Sequence, residues 1–231
     1  MKYQQMIKAT FIERPNRFIA YCEVEGERYK VHVKNTGRCK ELLIPGITVY
    51  LEKSMNPNRK TPYSLIAVEK GRLLINMDSQ APNVVVEEAL KSGTIQLPDL
   101  QGPLTKIKRE QTYGQSRFDF YCEAGEEKLF IEVKGVTLEE DGIVRFPDAP
   151  TERGVKHLEE LILARKNGYK AYVIFVVQME EVQYFTPHEE RHPAFAETLR
   201  AAEREGVGVL AYTCKVTPET LDIIEPLEIK L

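Results

Sequence analysis

Two short stretches, Ser116-Arg117-Phe118-Asp119-Phe120 and Ile131-Glu132-Val133-Lys134-Gly135, decide how this chain is read. Each has the apolar alternation of a strand. Gly125-Glu126 lies between them as turn chemistry, so Phe118 to Cys122 and Lys128 to Lys134 are expected to pair as a hairpin. Working outward, Pro150 and Thr151 open a helix expected to run to about Asn167, with Thr151 as its cap and Gly168 as its stop. Val155, Leu158, Leu161, Ile162 and Arg165 fall along one side of it. Tyr172 to Val177 follows, and its unbroken apolar run is what a central strand covered on both faces needs. Pro193 to Arg204 reads as a second helix and Val207 to Cys214 as another strand. This alternation implies right-handed crossovers and a mostly parallel region, with the hairpin adding antiparallel edges.

The same two stretches carry the chemistry. Glu132 and Lys134 are two residues apart in a strand, so their side chains share a face while Val133 points into the core. Asp119 comes from the neighbouring strand. Two close carboxylates repel unless a cation joins them. A hard divalent ion, Mg²⁺ or Mn²⁺, satisfies both through oxygen ligands, with the Val133 carbonyl as a further candidate ligand. Lys134 is suited to orient a water and stabilise its hydroxide, and the ion would neutralise charge developing on a phosphodiester. Glu110, nine residues before Asp119, is a candidate to add a ligand or position water. The competing reading of an ExK strand is ordinary cross-strand ion pairing.

The first 75 residues read differently. Phe18 to Val24 is strand-like, Gly26 breaks it, and Tyr29, Val31 and Val33 alternate with Lys30, His32 and Lys34. Asn35-Thr36-Gly37 and Pro45-Gly46 are turns; Ile47 to Leu51, Ser64 to Val68 and Arg72 to Ile75 are further strands. Five or so short strands fit a small barrel, OB-like by preference, with an SH3-like barrel reading much the same. Asn83 to Lys91 is helical, preceded by Pro82 and stopped by Gly93. The fold class is therefore β and α/β: an OB-like barrel over residues 1–82 and a mixed-sheet α/β domain over 83–231.

Composition bounds the function classes. The 231 residues are 42% hydrophobic and 29% charged with a net charge of −3, enough apolar material for a sizeable core. The longest apolar run, Ala171 to Val177, is far short of the roughly 20 residues of a membrane span. Met1 is followed by no cationic, apolar leader, and the four cysteines (22, 39, 122 and 214) form no CxxC pair, so a cytoplasmic protein with reduced thiols is expected. Residues 1–90 carry 14 Lys+Arg against 10 Asp+Glu, and residues 91–231 carry 18 against 25. Overall acidity argues against coating nucleic acid by bulk charge but leaves room for a local basic groove. No dinucleotide loop, Walker loop, GxSxG elbow or helix-turn-helix appears. His188-Glu189-Glu190-Arg191-His192 fits the HExxH zinc pattern, but Pro187 and Pro193 flank it, so one continuous helix is not expected.

Asp119 followed by Glu132-Val133-Lys134 resembles the PD-(D/E)xK nuclease core. Longer strings narrow the likeness: His32-Val33-Lys34-Asn35-Thr36-Gly37-Arg38, Asn56-Pro57-Asn58-Arg59-Lys60, Glu132 to Leu138, Phe146-Pro147-Asp148-Ala149-Pro150-Thr151-Glu152-Arg153-Gly154 and Lys156-His157-Leu158. Together these resemble the sugar fermentation stimulation protein family, SfsA, over essentially the whole chain. Cys39 stands where the family often has Met. The resemblance implies an OB-like N-terminal domain, a nuclease-like C-terminal domain, DNA binding and a regulatory role in sugar utilisation. It also implies that Asp119, Glu132 and Lys134 match the nuclease signature, and that Glu110 corresponds to the acidic residue such nucleases carry before the hairpin.

Beside that site, Arg14, Arg17, Arg38, Lys40, Arg59 and Lys60 in the barrel, with Phe18 and Tyr21, are candidates for a nucleic-acid surface: charge for the backbone, rings for bases. Arg117 is a further candidate, or a partner for an acidic residue near the metal. Arg153, Lys156 and His157 at the helix start are placed to face phosphate, and Asp148 to hold water near the metal. Three functions compete. One is a Mg²⁺- or Mn²⁺-dependent nuclease acting on DNA. The second is a noncatalytic DNA-binding or transcriptional module on a nuclease scaffold. The third is an RNA-binding or RNA-cleaving protein. The sequence leaves oligomeric state open.

Overall fold

The computed structural model describes residues 1–35 and 37–231; the middle of the expected Asn35-Thr36-Gly37 turn lies outside the described residues. The N-terminal strands are β1 (Met6–Asn16), β2 (Ile19–Val24), β3 (Glu27–Val33), β4 (Thr48–Lys53), β5 (Tyr63–Lys70) and β6 (Leu73–Asn76). β1 pairs with β2 and β4, β2 with β3, β4 with β5, and a parallel β3–β5 pairing closes the ring. The result is a closed OB-like barrel, with β6 added to β5. Ala20, Cys22, Val31, Val33, Val49, Leu51 and Leu65 alternate inward to fill it.

Within the barrel, β1 is the strand that the periodicity missed. It lies between β2 and β4, yet only Ala9 and Phe11 of its eleven residues are buried, and its pairing with β2 shifts register after Phe11. A bulged strand with a largely polar surface leaves little alternation to read.

Helix α1 (Ala81–Ser92) begins two residues before the expected division at residue 83, with Pro82 in its first turn, and packs against the second sheet. That sheet has the order β15-β14-β12-β9-β8-β7. Its strands are β7 (Lys106–Tyr113), β8 (Ser116–Ala124), β9 (Glu127–Val136), β12 (Lys170–Val177), β14 (Gly208–Val216) and β15 (Leu221–Pro226). β9, β12 and β14 are parallel, and β7, β8 and β15 add antiparallel edges. β10 (Leu138–Glu140), β11 (Ile143–Phe146) and β13 (Tyr184–Pro187) make a small separate sheet. β7 was not expected as a strand: Lys-Ile-Lys-Arg-Glu-Gln-Thr-Tyr is a mostly exposed edge, and Lys-rich edges resist further pairing.

α2 (Glu152–Lys166) and α3 (Pro193–Arg204) cover one face of this sheet, and α1 covers the other. Thr151 caps α2 as expected, its Oγ1 accepting from the Gly154 amide at 3.0 Å. The buried stripe of α2 is Gly154, His157, Leu158, Leu161 and Ala164, rotated from the expected one, so Val155, Ile162 and Arg165 lie only at its margin. His188 to His192 is a turn before α3, which starts at Pro193, so the HExxH histidines do not share a helix. All four cysteines are free and buried.

Candidate active site

The β8–β9 ladder pairs residue by residue from Ala124↔Glu127 to Phe120↔Ile131 and stops there. Asp119 and Glu132 are the next residues along. Released from the ladder, the Asp119 carboxylate accepts the Val133 amide on Oδ2 at 2.8 Å and Asn83 Nδ2 on Oδ1 at 2.8 Å. Asn83 stands in the first turn of α1, so that helix fixes the orientation of Asp119. Burial raises the Asp119 pKa, and the Glu132 charge pushes the same way; the Val133 and Asn83 hydrogen bonds and Lys134 only partly offset them.

Glu132 is 3% exposed, deep for a carboxylate. Its Oε1 accepts from Lys134 Nζ at 2.5 Å and contacts His157 Nδ1 on α2. A carboxylate acceptor requires the imidazole proton on Nδ1; Nε2 then accepts from Arg153 Nε at 3.3 Å. Burial alone would raise the Glu132 pKa, but Lys134 and His157 outweigh it and the net shift is downward, toward the charged form. Its second oxygen, Oε2, is buried with no hydrogen-bond partner among the described residues. A buried, ionised oxygen without a donor costs energy unless something cationic meets it.

The structure therefore gathers Asp119, Glu132 and Lys134 at one splayed strand pair. It adds Asn83, which carried no signal beyond its place in α1. It also moves His157: expected with Arg153 and Lys156 to face phosphate, it is instead buried against Glu132, and its spacing with Leu158, Leu161 and Ala164 on the buried stripe was the available clue. Glu110 stands opposite Asp119 in the β7–β8 register, but its carboxylate is exposed and pairs with Arg117 at 3.4 Å. Among the described residues, no group of three or more His, Cys, Asp and Glu side chains converges to hold an ion. The donor set is thus two carboxylates, with the unpartnered Glu132 Oε2 as the atom that fits a cation.

The basic residues divide by what they already hold. Arg14 donates to the carbonyls of Arg17, Asn35, Gly37 and Arg38 at 2.6–2.8 Å, so its guanidinium ties one end of the barrel together. Arg17, Arg38, Lys40 and Lys60 are exposed. Arg59 Nη2 lies 3.1 Å from His32 Nδ1. Lys156 reaches Gln115 at 3.4 Å. Phe18 is 53% exposed, whereas the Tyr21 ring is covered by Arg28, 4.2 Å from its centroid. Asp148 Oδ2 lies hard against Gly37, which joins this end of the barrel to the segment leading into α2.

The two-part architecture has counterparts. Residues 12–77 match the family model described as the SfsA N-terminal OB domain, and residues 80–220 match that of the sugar fermentation stimulation protein RE domain. A sugar fermentation stimulation protein homolog from Clostridium beijerinckii is 55% identical over 231 residues, covering all of both chains. One from Desulfitobacterium hafniense is 53% identical, covering 100% of this chain and 99% of its own. The solved structure of Pyrococcus furiosus SfsA in complex with Ca²⁺ superposes with a TM-score of 0.89 at 28% identity, covering 100% of this chain and 98% of that one. No helix among the described residues is long and apolar enough to cross a membrane. With both parts matched in order and the relatives aligned end to end, this chain belongs to the sugar fermentation stimulation protein family.

Proposed function

We propose that this protein binds DNA and carries a divalent-ion-dependent phosphodiesterase site of PD-(D/E)xK type on Asp119, Glu132 and Lys134. The observation that carries the reading is the buried Glu132, whose Oε2 has no partner among the described residues, beside Asp119 and Lys134. Asp119 and Glu132 would hold Mg²⁺ or Mn²⁺, with the Val133 carbonyl and water as further oxygen ligands. The Ca²⁺ of the Pyrococcus furiosus relative has the same preference for oxygen. When bound, such an ion supplies charge neutralisation at a phosphodiester and a water of lowered pKa.

The chain's own residues prepare that chemistry. His157 and Lys134 occupy Glu132 Oε1 and leave Oε2 free. Asn83 and the Val133 amide hold Asp119. Lys134, on the same face as Glu132, would meet a phosphate oxygen or the attacking water. The exposed Arg17, Arg38, Lys40 and Lys60 would supply backbone contacts, which makes DNA binding salt-dependent. A role in regulating sugar utilisation would follow from binding with or without cleavage.

A second reading is a noncatalytic DNA-binding scaffold. It is favoured by the exposed Glu110, which leaves two carboxylates where a third would complete an ion's protein ligands. Calorimetric titration of Mn²⁺ into wild type, Asp119→Asn and Glu132→Gln, with and without a short duplex, tests the first reading. One ion bound by wild type, with affinity at least about tenfold weaker in each variant, supports it. No ion bound under either condition refutes it. Ion binding without cleaved product over a range of DNA structures selects the scaffold.

A further inference from the structure

Beside the end of β9 that carries Lys134, a cavity of about 170 Å³ separates the barrel from the second sheet. Its walls include Asn35, Gly135, Arg145, Phe146, Asp148 and Gln178. We infer that this cavity receives one unpaired pyrimidine base of a nucleic acid whose phosphate lies at Lys134. The inference rests on the proposed function and gives its site a substrate class.

Size and chemistry both select the ligand. A cavity of roughly 150 Å³ holds one benzene ring, so a single six-membered ring fits. The lining is polar and mixed in sign. Asp148 opposes an anion, and Arg145, whose Nη1 donates to Glu140 Oε2 at 2.9 Å and whose other donors remain, opposes a cation; a neutral group with both donors and acceptors suits the pair. Gln178 is 1% exposed, and its Nε2 is spent on Asn76 Oδ1 at 2.9 Å and the Asp78 carbonyl at 3.2 Å. Its Oε1 faces Gly135 and, among the described residues, accepts no hydrogen bond. An acceptor held this rigidly, with Asp148 as a second, matches the exocyclic amino group of cytosine; Arg145 matches its ring acceptors. Phe146, fixed against Phe175 and Phe195, supplies an aromatic wall. Gly135 follows Lys134 directly in β9, so the cavity opens beside the strand end that carries the site. A base already unpaired enters at the least unstacking cost.

The probe is a short duplex with one bulged cytosine, compared with the same duplex bearing an abasic bulge and with the fully paired duplex. Affinities are read by fluorescence anisotropy on wild type and on Arg145→Met with Phe146→Leu; both residues line the cavity and neither is placed at the proposed metal site. Wild type is expected to prefer the bulged cytosine by about tenfold over both controls, equivalent to one or two buried hydrogen bonds. The double variant should lose that preference while still binding Mn²⁺ and unfolding cooperatively. Equal affinity of wild type for all three duplexes overturns the base pocket and leaves the DNA-binding reading standing. Binding to none of them overturns both. A preference that survives in the double variant places the base elsewhere and also overturns the inference.

Discussion

Gly135→Ala probes a close packing contact inside strand β9, where that strand meets α1 and Gln178. A β-carbon at Gly135 would sit 2.6 Å from Gln178 Oε1 and 2.9 Å from Pro82 Cγ, where ordinary contact begins near 3.4 Å. Neither neighbour yields readily. The Gln178 amide is held by Asn76 and Asp78, and Pro82 is locked into the first turn of α1. Relief requires α1 to move outward or Gln178 to surrender a buried hydrogen bond. Overpacking of this kind costs about 1–3 kcal/mol, and a lost hydrogen bond about 1 kcal/mol. Restricting the unfolded chain gives back about 0.4–1 kcal/mol. The expected net loss is about 2 kcal/mol, or roughly 4–8 °C in Tm for a chain of this size. Urea unfolding of wild type, Gly135→Ala, Gln178→Ala and the double variant measures it. Because Gln178→Ala removes the obstructing oxygen, the double variant should be more stable than the two single losses combined would give. A Gly135→Ala protein as stable as wild type, or strictly additive losses, would refute the reasoning.

Two further outcomes follow from the buried carboxylates Glu132 and Glu139. His157→Ala removes a partner of the buried Glu132 and should cost about 3 kcal/mol in urea unfolding, with partial recovery in His157→Asn, which keeps a donor near Nδ1; equal losses in both would deny that the hydrogen bond matters. Glu139 is buried and joined to Lys70 of β5: burial works to raise its pKa, but the Lys70 ammonium and the Gly142 amide outweigh it, and the net shift is downward from 4.5. The Lys70–Glu139 contribution should therefore be full above that ordinary value and fade as pH falls through the lower folded one, so the stability gap between wild type and Glu139→Gln should close in acid; a gap independent of pH would refute this.

How much of this was legible depended on how strongly each residue's burial repeated along its element. Tyr172 to Val177, buried on both faces, and the Pro193–Arg204 helix, with Phe195, Ala196, Leu199 and Ala202 inward, announced themselves because every turn or pleat contributed an apolar residue. β1 and β7 did not, because a strand that buries two residues of eleven, or lies at a Lys-rich edge, is stabilised by pairing partners distant in sequence. The closure β3–β5 is likewise a long-range pairing, with no local signature that separates an OB-like ring from an SH3-like one. At the site, the ExK spacing fixed which face Glu132 and Lys134 share. Nothing local told that Asn83 would reach across to Asp119, or that α2 would be rotated to bring His157 onto Glu132. The expected surface role of Arg14 met a similar limit: four carbonyls brought together by folding compete for the charge that the sequence displays.

The junction between barrel and second sheet has a mechanical meaning. Asn76 exchanges backbone and side-chain hydrogen bonds with Gln178, whose Nε2 also donates to the Asp78 carbonyl. Lys70 binds Glu139 across the same divide, and Tyr3 donates its amide to Glu219 beside β15. These ties are spread along the seam, so it cannot bend at a single point as a linker would. The two halves should lose their amide protection together in hydrogen exchange, as one cooperative unit. A nucleic acid lying across both would meet a surface whose spacing is set before it arrives, and would itself have to supply any bending that the fit requires.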